Sequence, residues 1–235
     1  MFALLSAGSL QAATQRFDLV VYGGTAGGVV TAVSAAREGL HVVLLEPGTH
    51  LGGMTTGGLS RTDVGKREVI GGMALEFYRR LGKRYDVGRF GQDVAWYFEP
   101  HVGEQVLEEM LREANVIVVK HQRLREATGV RKSGAVVEAI TTEDGSVYEA
   151  RAFADCSYEG DLMAQAKVKY TWGREGIAEY GESLAGVRDR TPKHQFLVRV
   201  SPFDAAGKLL PEISAASTKG QGGLRTGRCR LITSA

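Results

Sequence analysis

An apolar strand that runs straight into a glycine cluster, then a helix, a second strand and an acid, constrains this chain more than any other feature. Asp18-Leu19-Val20-Val21-Tyr22 is the short, β-branched run expected of a parallel strand buried on both faces. Gly23-Gly24-Thr25-Ala26-Gly27-Gly28 follows at once. Val29 to Glu38 then reads as a helix rich in alanine and valine, and Gly39 stops it. His41-Val42-Val43-Leu44-Leu45 is a second buried strand that ends on Glu46. This is one βαβ unit, the start of an α/β, Rossmann-like domain on a parallel sheet.

Such a turn has a chemical use. Backbone can pass close to a pyrophosphate only where no side chain intervenes, and the helix that follows aims unpaired N–H groups and a positive dipole end at the phosphates. Gly23 fits the first glycine position of the fingerprint and Gly28 the third, whereas Thr25 stands at the second. That substitution tightens the loop, with Gly24 and Gly27 left to adapt it. Glu46 lies 23 residues after Gly23, near the spacing of about 20 at which an acid meets ribose hydroxyls. The same charge would repel a 2′-phosphate, which disfavours NADP. A solvated acid at a strand end is the plainer alternative. FAD and NAD both present adenosine and pyrophosphate to such a unit, so it does not choose between them.

Beyond Glu46, residues 47–66 form a loop dense in glycine, with Gly52-Gly53 and Gly57-Gly58. Ile70 to Leu81 and Val102 to Glu113 look helical, the second burying Val102, Val106, Met110 and Leu111. Val116 to Val119 is a third apolar strand. Leu124 to Val130, Ala135 to Thr142 and Val147 to Ala154 alternate like antiparallel strands, and Asp144-Gly145 marks a hairpin. The expectation is a three-stranded antiparallel meander whose last strand delivers the chain to Asp155. Phe196 to Val200 reads as a strand of a second domain. Residues 217–235 are rich in Gly, Arg, Thr and Ser without periodicity.

Three segments together resemble the FAD-dependent oxidoreductases of the glutathione-reductase structural class. They are Val20 to Gly28, then Leu45-Glu46-Pro47, then His50-Leu51-Gly52-Gly53-Met54-Thr55-Thr56-Gly57-Gly58. In that class a Gly-Gly doublet soon after the acid lets the chain wrap the cofactor. Phe153-Ala154-Asp155-Cys156-Ser157-Tyr158-Glu159-Gly160-Asp161-Leu162 is similar to the Asp-Ala-Thr-Gly-Asp-Gly-Asp-Leu segment that follows the meander in one branch, with Cys156-Ser157-Tyr158 in place of Ala-Thr-Gly. The resemblance implies FAD as cofactor, hydride transfer between a small organic substrate and the flavin, and contacts from Gly23, Gly24, Thr25, Ala26, Gly27, Gly28, Glu46, Pro47, Gly52, Gly53, Met54, Thr55, Asp155, Gly160 and Asp161. Such families also place a closing cofactor-contacting segment near the C-terminus, and nothing after Phe196 resembles it. The expectation is therefore an N-terminal part of a longer enzyme: an FAD-binding domain over 17–165, the start of a substrate domain over 166–216, and an irregular tail over 217–235.

Composition removes other classes. A net charge of +2, with no basic residues clustered beside aromatics, argues against a nucleic-acid partner. Cys156 and Cys229 are too few for a disulfide framework, and five scattered histidines offer no metal-ligand spacing. No apolar run reaches the roughly 18 residues of a membrane span. Residues 1–16 are an extension or the remnant of a signal peptide, lacking its positive start, so export and a cytoplasmic location both stay open. An NAD-binding dehydrogenase explains the first 46 residues equally well, and a truncated, non-catalytic nucleotide binder is a further alternative. No catalytic residue is assigned. Arg61 and Asp63 could approach the flavin, but an ordinary loop salt bridge accounts for them better. Capping explains Glu99 and His101, core packing explains Trp96, Tyr97 and Phe98, and solvation explains Arg174 and Glu175.

Overall fold

The computed structural model describes residues 14–59, 62–63, 65–186, 198, 201, 203–211 and 225–227. The chain divides into two compact units between Lys167 and Val168. The first begins with strand β1 (Thr14–Tyr22), helix α1 (Ala26–Arg37) and strand β2 (Val42–Leu45). Helices α2 (Gly72–Arg84) and α3 (Pro100–Glu113) lead to strand β3 (Ile117–Val119). Strands β4 (Val130–Ser133), β5 (Val136–Thr141) and β6 (Val147–Asp155) follow, then the short helix α4 (Asp161–Gln165). All six strands form one sheet in the order β3-β2-β1-β6-β5-β4, parallel from β3 to β6 and antiparallel from β6 to β4.

The alternation within the strands explains the layers, because successive side chains leave a strand on opposite faces. Val21, Val42 and Leu44 point to the face covered by helices, where they pack with Val29 and Val33 of α1, Leu81 of α2, and Val106 and Met110 of α3. Val20, Tyr22, Val43 and Leu45 point to the other face and meet Leu124, Ile140, Tyr148 and Leu162. Burial on both faces is why β1 and β2 read as continuous apolar runs.

Several expectations need correction. β1 starts at Thr14, so Thr14–Arg16 belong to the sheet and not to an N-terminal extension; the long β6 pairs with β1 from Thr14↔Val147 to Tyr22↔Asp155. α1 starts at Ala26, three residues early, because the Thr25 side chain caps it. The first strand of the meander is Val130–Ser133, not Leu124 to Val130. Leu124 makes only an isolated bridge to Thr142, and Ala127 turns the backbone to φ +59°, so the run cannot continue as a strand.

In the second unit, β7 (Tyr170–Trp172) pairs antiparallel with β8 (Arg225–Gly227), and helix α5 spans Ile177–Tyr180. The β8 residues fall within the segment expected to be irregular; pairing with β7 supplies the ladder that local periodicity does not announce. Arg174 is not merely solvated: its guanidinium donates to Gly186 O (2.8 Å) and Leu184 O (2.6 Å). The strand expected over Phe196 to Val200 lies outside the described residues, apart from Val198. Among the described residues no helix is long and apolar enough to cross a membrane.

A buried polar knot anchors the meander. Gln122 Oε1 accepts the Tyr148 hydroxyl (2.8 Å) and the Thr142 hydroxyl (2.9 Å), while its Nε2 donates to Asp144 (3.0 Å). Gln122 and Thr142 are buried, so removing one partner leaves the others desolvated and unsatisfied. Gln122→Leu should cost about 1–3 kcal/mol of stability, read as a lower urea midpoint; an unchanged midpoint would show that the knot contributes nothing.

Candidate functional site

The carboxyl ends of β1, β2 and β6 lie side by side, because Tyr22 is in register with both Leu45 and Asp155. The Gly23 N–H donates to Leu45 O (2.8 Å), and the Cys156 N–H donates to Tyr22 O (2.8 Å). At Gly23 φ is +101°, and a Cβ there would stand 2.6 Å from Ser157 N. A Cβ on Gly28 would collide with the Gly23 carbonyl oxygen. The first turn of α1 therefore sits directly on the loop, which only glycine at both positions permits.

Thr25 does not obstruct this loop. As the N-cap of α1 it accepts the Gly28 N–H (3.1 Å), and its hydroxyl donates to Cys156 O (2.8 Å). The residue that departs from the fingerprint thus satisfies an orphan helix donor and ties the loop to the end of β6. Ala26 and Gly27 open the helix behind it, and a Cβ on Gly27 would meet nothing closer than 3.6 Å, so glycine is not sterically required there.

Both oxygens of the Glu46 carboxylate are engaged. Oε2 accepts the Gly24 N–H (2.7 Å) and Oε1 the Gly48 N–H (2.6 Å). Gly24 itself has no room for a side chain against Leu51 Cδ2, at 2.6 Å, and Glu46. The loop from His50 to Thr56 then docks on the turn through Gly52 N–H to Gly24 O (2.7 Å). Gly52 and Gly53 both take positive φ, and Gly53-Met54-Thr55 forms a short 3-10 turn. Glu104 on α3 supports this loop by accepting the Leu51 N–H (2.9 Å) and meeting His50 Nδ1 (2.9 Å). Burial works to raise the Glu104 pKa, but the Leu51 amide, the His50 ring and Lys120 outweigh it and hold the carboxyl below its usual range.

The third wall is the turn after β6. Asp155 accepts the Ser157 N–H (3.0 Å), the Ser157 hydroxyl (2.7 Å) and the Met163 N–H (2.8 Å). Gly160 takes φ +72° as α4 begins. Burial, then the nearby Glu159 and Asp155 charges, push the Asp161 carboxyl up against the pull of Arg123.

These walls enclose a cleft of about 410 Å³. Of the residues expected at the site, Gly23, Thr25, Glu46, Pro47, Gly53 and Asp161 line it. Gly24, Gly28, Gly52, Asp155 and Gly160 do not line it but hold the lining loops in place, and Ala26, Gly27, Met54 and Thr55 are not among its lining residues. Sequence reasoning did not place Tyr22, Gly48, His50, Arg123, Ser157, Tyr158 or Glu159 there, although all line the cleft. Arg123 comes from the segment after β3, and no local pattern marks it; Gly48 follows Glu46 closely enough that an amide-binding acid could have signalled it. The other polar residues lie elsewhere. Asp63 is exposed and Arg61 is outside the described residues. Glu99 occupies the N-cap of α3 without a side-chain cap and meets the Tyr85 hydroxyl instead. Trp96 and Phe98 pack against Tyr78 and Phe77, as core residues should, while Tyr97 is exposed.

A family model described as FAD dependent oxidoreductase matches residues 18–223. No curated protein matches the chain. Among solved structures it is similar to L-amino acid deaminase from Proteus vulgaris, at 16% identity over 72% of this chain and 56% of that one, with a TM-score of 0.45. It is similar to a geranylgeranyl bacteriochlorophyll reductase-like protein from Thermoplasma acidophilum, at 14% identity over 70% and 48%, with a TM-score of 0.45. The flavin-dependent brominase Bmp2 is 14% identical over 68% and 42%, with a TM-score of 0.49. The match thus spans between 42% and 56% of these solved chains. At such TM-scores these likenesses decide nothing, and the family rests on the sequence match.

Glu104 provides a check on the loop that needs no ligand. Its folded pKa lies below the ordinary 4.5, so its stabilisation is complete above that value and lost as pH falls through the folded pKa. Glu104→Gln should lower stability by about 1 kcal/mol at neutral pH, and the gap from wild type should close in acid. A gap independent of pH in urea titrations would count against a charged role.

Proposed function

The chain belongs to the family of FAD-dependent oxidoreductases, and on that premise we propose that it binds FAD in the cleft at the ends of β1, β2 and β6. There it would serve hydride transfer between a small organic substrate and the flavin. The family match runs on to residue 223, which supports FAD over NAD, since the NAD reading accounts only for the first βαβ unit.

The residues present fit the group. Gly23 and Gly28 keep side chains out of the turn, so backbone can approach a pyrophosphate, and α1 points its positive end at the same place. Glu46 spends one lone pair of each oxygen on the Gly24 and Gly48 amides. A carboxylate offers about four acceptor sites, which leaves two for the ribose hydroxyls of the adenosine half. Its charge, with Glu159 and Asp161 in the same cleft, disfavours a 2′-phosphate. Arg123, also among the lining residues, offsets part of that negative field. The Gly52-Gly53 turn, with positive φ at both residues, would let the loop that follows approach the cofactor.

The chemistry that FAD supplies when bound is two-electron redox at the flavin ring, and the protein adds position and electrostatics. This chain's residues do the holding: Thr25 fixes the phosphate-facing turn, Glu104 fixes the following loop, and Asp155 fixes the third wall.

The observation that carries this reading is the Glu46 carboxylate, set between two glycine loops. Glu46→Gln keeps one acceptor but turns an N–H toward a backbone donor. FAD affinity, followed by quenching of flavin fluorescence, should fall about tenfold or more, with the far-UV spectrum retained. Equal affinity in the variant would remove Glu46 from the site.

A further inference from the structure

Tyr158 crosses the cleft. It follows Ser157 on the turn after β6, where Ser157 lies against Gly23. Its phenol reaches the opposite wall, where the Met54 N–H donates to the Tyr158 hydroxyl oxygen at 2.7 Å. A Cβ on Gly53 would collide with that oxygen and stand 2.9 Å from Cζ, so the ring lies flush on Gly53. One side chain thus joins the β6–α4 turn to the Gly52–Thr55 loop.

Resting on the cofactor assignment, we propose that Tyr158 is a strap that closes the cleft in the free protein and must release the Met54 amide before FAD can seat. Glu46, Gly23, Tyr158 and Gly53 all line the cleft, so a dinucleotide laid from Glu46 past Gly23 toward Gly53 would have to share that space with the Tyr158 ring. The strap is built to let go. Tyr158 is 57% exposed, and among the described residues a single neutral hydrogen bond holds its tip. The turn beneath is fixed: Asp155 grips Ser157 and Met163, and the Ser157 hydroxyl accepts the Gly160 N–H (3.0 Å). Opening is therefore a side-chain rotation about a rigid base. Once the phenol leaves, the Met54 N–H becomes a donor facing the cleft edge, ready for a polar atom of the cofactor. Seating the cofactor and freeing Tyr158 are then one linked event.

Tyr158→Phe tests this in the full chain, because it keeps the ring and deletes the hydroxyl. Without FAD, hydrogen exchange at the Met54 amide should be faster in the variant than in wild type. FAD, mixed by stopped flow, should associate about two- to tenfold faster with the variant, the equivalent of one net hydrogen bond. Equal Met54 exchange, or equal association rates when FAD binds both proteins, would overturn the strap alone. Weaker FAD binding by the variant would also overturn it, and would make the phenol a contact of the bound cofactor. Binding of FAD to neither protein would overturn the strap and the cofactor assignment together, whereas the exchange result identifies which hydrogen bond exists.

Discussion

The geometry of the cleft depends on one carboxylate. Glu46 stands at the end of β2 and takes a backbone N–H on each oxygen, from Gly24 on one side and Gly48 on the other. Charge-assisted bonds of this kind are the strong ones, and here they fix the distance between the glycine turn and the loop that leads to Gly52-Gly53. Without them, the turn would keep its bonds to Leu45, Cys156 and Gly52 but lose the tie that joins Gly24 to Gly48 through one side chain. The arrangement gives a single side chain two tasks, bracing the walls and offering its remaining lone pairs to a ligand.

The sheet explains why these walls meet. β1, β2 and β6 end flush, since Tyr22 is in register with Leu45 and Asp155. Parallel strands that end together leave a crevice outside their carboxyl ends, the usual binding place of an open α/β sheet. The meander contributes more than a decoration. β6 pairs with β5 at its beginning and with β1 along its whole length, so the hairpin that turns at Asp144-Gly145 sets where Asp155 emerges. From there Asp155 organises Ser157 and Met163 into the third wall. The buried knot at Gln122, Thr142 and Tyr148 holds the hairpin to the segment after β3 that carries Arg123 into the cleft.

How much of this could be read beforehand follows from how local each signal is. The first βαβ unit was legible because buried parallel strands are uninterrupted apolar runs and the turn must be glycine. The place of Glu46 at the end of β2, beside the glycine turn, was legible from its spacing, although its bonds to the Gly24 and Gly48 amides were not foreseen. The start of α1 was misplaced because Ala26, Gly27 and Gly28 are a weak helical beginning, and only the hydrogen bonds of Thr25 show that it caps them. The Leu124 to Val130 run alternates like a strand, yet Leu124 is spent on the core and its N–H on the Tyr22 hydroxyl. Arg123 and Tyr158 enter the cleft from segments far apart in the chain, and no pattern within a window of sequence can announce such a meeting. Arg174 illustrates the same point in the second unit, where the carbonyls that bind it belong to residues ten and twelve positions on.

The most direct measurement is the absorbance spectrum of the purified chain after incubation with FAD and removal of free ligand by desalting. A flavin band that travels with the protein in about equimolar amount is the expected result. A colourless protein, under conditions where the fold is intact and NAD is retained instead, would contradict the assignment of the cleft to FAD.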